Sequence, residues 1–171
     1  MSARQFQSPD LEKRIRDVLE QTGMDARCLE LELNESVLMQ EGDQTPSVLA
    51  ALSELGIGFA LDNFGTGYSS LSYFKRCPVA RVKIARSFVG DIATREGDAA
   101  VARAVIAMAR GLGIAVVAQG IETVEQLAIL RRYGCDEGQG YLLGRPVMAS
   151  EVPEVMRRHQ WSAARRPAAV V

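Results

Sequence analysis

What this 171-residue chain lacks removes whole classes of function. Lys and Arg number 20 against 21 Asp and Glu, giving a formal charge of −1, so there is no basic excess to hold nucleic acid. Arg157-Arg158 and Arg165-Arg166 form only a local basic end. Cys28, Cys77 and Cys135 are odd in number, widely spaced and free of any Cys-x-x-Cys pair. That pattern argues against a disulfide framework and a thiolate zinc site, and fits a reducing cytosol. His159 is the single histidine, which leaves no Ser-His-Asp or Cys-His arrangement. Long apolar runs are absent too: none approaches the roughly 20 residues of a membrane helix, and Met1 to Phe6 has no signal-peptide core. No Gly-x4-Gly-Lys phosphate loop occurs, and Gly138-x-Gly140-x3-Gly144 misses the dinucleotide-binding spacing by one residue. A cytoplasmic location without nucleic-acid or membrane partners is expected.

What is present, 47% hydrophobic and 24% charged residues, suits one ordinary globular core. Asp10 followed by Leu11, Ile15, Val18 and Leu19, then Gly23, reads as a capped amphipathic helix with a glycine stop. A strand is expected from Cys28 to Leu33, then a helix from Thr45-Pro46 to Leu55 and a strand from Ile57 to Leu61. Leu71 to Phe74 reads as a short helix before a strand from Ala80 to Ile84, with Tyr73 and Phe74 as packing residues. A helix from Asp98 to Arg110 leads to the apolar, β-branched strand Ile114 to Ala118. Thr123 to Gln126 is a capping box opening a helix that ends at Gly134, and a short strand covers Cys135 to Glu137. Ser150 is expected to cap a last helix reaching His159. Helix, glycine, strand and polar loop thus recur about five times, the pattern of βα units in a parallel sheet. A closed eight-stranded barrel typically takes about 250 residues, so either the sheet is open or part of a barrel lies elsewhere.

In such folds the ligand site lies beyond the carboxyl ends of the strands. The first strand carries Glu30 and Glu32 and exits at Asn34-Glu35; the second exits at Asp62-Asn63, before Phe64-Gly65-Thr66-Gly67. Lys83 lies within the third, Gln119 and Glu122 follow the fourth, and Gln139 follows the fifth. Each has an ordinary alternative: Glu30 and Glu32 could share a solvated face, Asp62-Asn63 could form a turn, and Gln119 and Glu122 could cap a helix. Lys83, between Val82 and Ile84 in an apolar strand, calls for an acidic or phosphate partner. Their shared position at one end of the sheet favours one pocket.

Ser2-Ala3-Arg4-Gln5-Phe6, Leu31 to Ser36, Asp62 to Ser70, Val82-Lys83-Ile84, Ala118 to Glu122 and Gly138 to Pro146 stand in an order and spacing that resemble the EAL domain family of bacterial cyclic di-GMP phosphodiesterases. The resemblance runs from Ser2 to about Pro153. It implies an α/β fold, a (β/α)8-like barrel of which about five parallel βα units would be present here and roughly the first third absent. It also implies hydrolysis of cyclic di-GMP to pGpG with a pair of Mg2+ or Mn2+ ions. Carried over residue by residue, Glu32 and Asp62 match metal ligands, Glu35 the carboxylate bracing the loop after Asp62, Lys83 the lysine at the reaction centre, Gln139 a pocket glutamine, and Glu122 a supporting glutamate.

The departures point the other way. Asn63 stands where the family has a second aspartate, Gln119 where it has a glutamate, and Ala85 where an aspartate usually follows Lys-Ile. The family's Glu-Ala-Leu and Asn-x-Ser ligands find no counterpart. Paired dications about 3.5–4 Å apart need dense carboxylate coordination, and an amide supplies neither charge nor a base. Residues 1–159 are therefore expected to be a degenerate, non-catalytic domain in cyclic di-GMP signalling, with weak single-metal binding or none, and 160–171 a disordered tail. One alternative is an active phosphodiesterase whose other ligands come from a partner chain or an upstream segment. Another is an oligomeric interaction module, because open parallel edges invite pairing with a second copy.

Overall fold

The computed structural model describes residues 3–6, 8–34, 45–66, 74 and 78–158. Its centre is a five-stranded sheet in which every neighbouring pair is parallel and strand order follows the chain. The strands are β1 (Glu30–Asn34), β2 (Gly58–Phe64), β3 (Arg81–Ile84), β4 (Ala115–Gln119) and β5 (Glu137–Gln139). Around it lie α1 (Ala3–Phe6), α2 (Leu11–Thr22), α3 (Thr45–Glu54), α4 (Arg86–Gly90), α5 (Glu96–Gly111), α6 (Val124–Tyr133) and α7 (Val152–Arg158).

The two faces of the sheet differ in kind. Side chains alternate along each strand and registered partners share a face, so Leu33, Phe59, Leu61, Val82, Ile84, Val116 and Ala118 line one side. All seven are buried and belong to the core that Leu49, Leu52, Ile106, Ala109 and Leu130 complete from the helices. Each fully buried Leu, Ile or Phe contributes about 1.5–3 kcal/mol of burial, so the helix-covered face anchors the sheet. The opposite face carries Glu30, Glu32, Arg81, Lys83, Gln119, Glu137 and Gln139. A sequential parallel sheet with one apolar and one polar face has the curvature logic of a barrel wall.

Several boundaries differ from the sequence reading. Residues 26–28 form a 3-10 turn instead of the start of β1, because the Asp25 carboxylate accepts from the Arg27 amide at 2.9 Å. β2 runs on through Asp62 and Asn63, so the pair lies inside the strand and not after it. β5 begins at Glu137, two residues later than expected: the Asp136 side chain accepts from the Val116 amide at 2.8 Å and takes the place of a ladder bond. Gln119 and Gln139 accordingly end their strands. Helix α4, directly after β3, was not foreseen. Ser150 sits within a 3-10 turn, Ala149–Glu151, instead of capping; the Glu151 carboxylate accepts from the Met148 amide at 2.9 Å, and α7 starts at Val152. Gly23 and the Thr123–Gln126 capping box stand as expected. Leu71 to Tyr73, Cys77, His159 and the basic end at 165–166 lie outside the described residues, whereas Phe74 packs edge-on against Phe64 with ring centres 5.7 Å apart.

Candidate functional site

At Asp62-Asn63 two neighbouring side chains bond each other, which regular alternation along a strand does not allow. The pairing of β2 with β3 skips there: Leu61 is opposite Val82, yet Phe64 is opposite Ile84, so two residues face Lys83 alone. Asn63 adopts φ 55°, the left-handed conformation that Asn tolerates better than most residues. This bulge re-aims the pair. The Asp62 carboxylate then accepts from Asn63 Nδ2 at 3.0 Å and from Gln119 Nε2, across two strands, at 3.1 Å.

Lys83 is 7% exposed, and its ammonium bonds Glu32 across the sheet. That contact supplies the acidic partner its burial demands. One layer further toward the strand starts, Arg81 joins Glu30 and reaches Glu137 at 3.2 Å. The hydrogen bond to Glu30 is the main reason that the Arg81 guanidinium holds its proton more tightly than usual. Glu30 is thus committed to an internal ion pair, and the solvated-face reading of Glu30 gives way.

The rim is built by backbone and short links. Ile121 is buried; its amide donates to the Gln139 carbonyl at 3.0 Å, and a Cβ on Gly140 would come within 2.1 Å of its carbonyl oxygen. The Gly138–Gly140 spacing that fails as a dinucleotide motif exists to seat Ile121. Arg86 lies over Gly120, whose φ is 78°, with its Cγ 2.3 Å from where a Cβ would stand, and it bonds Glu122 at 2.6 Å. Neither Arg81 nor Arg86 was singled out from sequence, although each sits at a fixed offset from Lys83. Glu35 lies outside the described residues. The structure therefore pairs Lys83 with Glu32 and joins Asp62, Asn63 and Gln119 by hydrogen bonds, with Lys83 opposite the bulge in register and Gln139 beside Gln119.

The EAL domain family pattern matches residues 1–146. The chain belongs to the EAL domain family. It is 46% identical over 150 residues to the cyclic di-GMP phosphodiesterase NbdA of Pseudomonas aeruginosa, covering 88% of this chain and 19% of that protein. Among solved structures it resembles the PaMucR phosphodiesterase in its c-di-GMP complex, with TM-score 0.85, 41% identity, and coverage of 89% of this chain and 62% of that one. The manganese/cy-diGMP complex of Klebsiella pneumoniae BlrP1 gives TM-score 0.76, 33% identity, and coverage of 83% and 36%. The chain spans about a fifth of the length of the curated relatives that it matches. Its EAL fold is thus a partial wall of the barrel seen in longer relatives. Among the described residues no helix is long and apolar enough to cross a membrane.

Among the described residues the side chains of the strand ends do not fit a binuclear metal centre. Glu32 of β1 is held by an ammonium and Asp62 of β2 by two amides. Among the described residues no three His, Cys, Asp or Glu side chains group to hold a metal ion. Two dications would face two carboxylates already opposed by one cation, far short of the charge that such a pair needs.

Proposed function

We propose that this stretch of chain is a non-hydrolytic EAL module that works in cyclic di-GMP signalling by binding, either to the nucleotide or to a protein. The observation that carries the reading is the amide pair on Asp62: Asn63 and Gln119 stand where the family pattern has acids, and both donate to the carboxylate. Gln119 cannot take a proton from water, and two-metal activation lacks its ligands. Any metal bound here is a single weak Mg2+, Mn2+ or Ca2+ at Glu32 and Asp62. Glu35, Glu122 and Gln139 are assigned to supporting the loops and lining the pocket, and Lys83 to holding Glu32 and facing a ligand phosphate.

The test has two parts. Conversion of cyclic di-GMP to pGpG by the 171-residue chain with Mn2+ is expected at background. Calorimetric titration of the nucleotide with and without Mg2+ then separates the binding modes, because absence of heat in both leaves protein contact. The retained Lys83–Glu32 pair and the carboxylate at Asp62 favour a second reading, an active enzyme completed by ligands from elsewhere. Turnover above background after Asn63→Asp together with Gln119→Glu would support that reading over the first. We also assign a homodimer or larger assembly, because β1 and β5 each have one strand neighbour among the described residues.

A further inference from the structure

Both oxygens of Asp62 are taken by neutral amide donors, Asn63 Nδ2 at 3.0 Å and Gln119 Nε2 at 3.1 Å, from two strands that are not adjacent. Amide N–H groups satisfy a carboxylate's lone pairs without bringing charge and without stripping water from an ion. On the same face of the sheet the Lys83 ammonium sits on Glu32, so one carboxylate has a built-in cation and the other two built-in amide donors. A cation approaching Asp62 would compete with an amide donor at each oxygen. We propose that Asn63 and Gln119 are internal substitutes for metal ions, so that the EAL site of this chain is assembled and held without divalent cations. The inference rests on the non-hydrolytic reading above but concerns how the site is held together.

Two isosteric changes expose the substitution. Asp tolerates the left-handed backbone of Asn63 as Asn does, so Asn63→Asp keeps the φ 55° bulge, and Gln119→Glu keeps the side-chain length. Each change replaces a donor by a charged acceptor aimed at Asp62. The pair of changes should therefore create a need for cations that the parent chain lacks.

The experiment compares thermal unfolding of the parent chain and the Asn63→Asp/Gln119→Glu variant in EDTA and in about 1 mM MnCl2, with bound Mn2+ followed by loss of the free ion's EPR signal. The parent is expected to unfold at the same temperature in both buffers and to leave the EPR signal undiminished. The variant is expected to melt lower in EDTA and to regain about 5 °C or more with Mn2+. Refolding of the variant only when Mn2+ is present counts as the same result, and Gln119→Glu alone carries the comparison where the double change does not fold at all. Stabilisation of the parent by Mn2+, or a variant indifferent to it, would overturn the proposal. Mn2+ stabilisation of the parent without turnover overturns this inference alone, whereas turnover by a parent chain that binds no Mn2+ overturns only the non-hydrolytic reading.

Discussion

Lys83 shows how much of the site rests on single side chains. It is almost fully buried while its partner Glu32 keeps 44% of its side-chain surface, so the pair sits at a boundary where solvent screens part of the attraction. Lys83→Met is expected to cost about 1–2 kcal/mol in urea unfolding, less than a fully buried ion pair would; no change would mean that Glu32 does not depend on it. Cys135 gives a pH signature: burial, ahead of the neighbouring Asp136 charge, pushes its thiol from its ordinary 9.0 up to about 11. The native state therefore holds a proton that the unfolded chain releases, so its contribution is complete below pH 9 and is lost as pH rises toward 11. Between pH 8 and about 10.5 the parent chain should lose about 2 kcal/mol more than Cys135→Ala in urea titrations, and parallel losses would contradict the assignment. At this scale Asp62, Glu32 and Lys83 were legible because polar residues interrupt apolar strands. The bulge at Asn63 was not, since a left-handed residue and a skipped register leave no period in the sequence.

Helix α6 connects its own capping to the site. Its Gln126 is buried; Oε1 accepts from the Glu122 and Thr123 amides at 2.7 and 3.0 Å, and Nε2 donates to the Gly90 carbonyl at 2.8 Å. The capping box was readable from Thr-x-x-Gln, but the bond to Gly90 was not, because it depends on α4, which sequence pattern missed. A five-residue helix is too short to show a 3.6-residue period. Gln126→Ala removes the box and leaves the Glu122 and Thr123 amides and the Gly90 carbonyl without their partner, so a loss of about 2–3 kcal/mol is expected, against about 1 kcal/mol for Thr123→Ala. Equal losses for the two, measured by urea unfolding, would show that the Gly90 bond adds nothing. Strand ends moved by two residues at β5 for a related reason: the Asp136 side chain substitutes for backbone, a contact that alternation of polar and apolar residues cannot reveal.

For the whole molecule, parallel βα order was visible in the recurrence of helix, glycine and strand, and the sheet follows it. What covers the two ends of that sheet was not. At the β1 end a groove of about 380 Å³ is lined by Leu11, Ile15, Val18, Leu19, Leu29 and Leu31, and α2 buries none of its residues fully despite its apolar stripe. In the segment after β5, Val147, Met148, Val152 and Met156 are exposed. Apolar surface beside an unpaired strand favours association, so light scattering at micromolar concentration should report a dimer or larger species, and a monodisperse monomer would contradict the assembly. The central claim concerns charge at the strand ends. Crystals of the 171-residue chain grown with MnCl2 and measured at the manganese absorption edge test it most directly. No pair of anomalous peaks should stand beside Asp62, and two peaks about 3.5–4 Å apart bridged by its carboxylate would contradict the account.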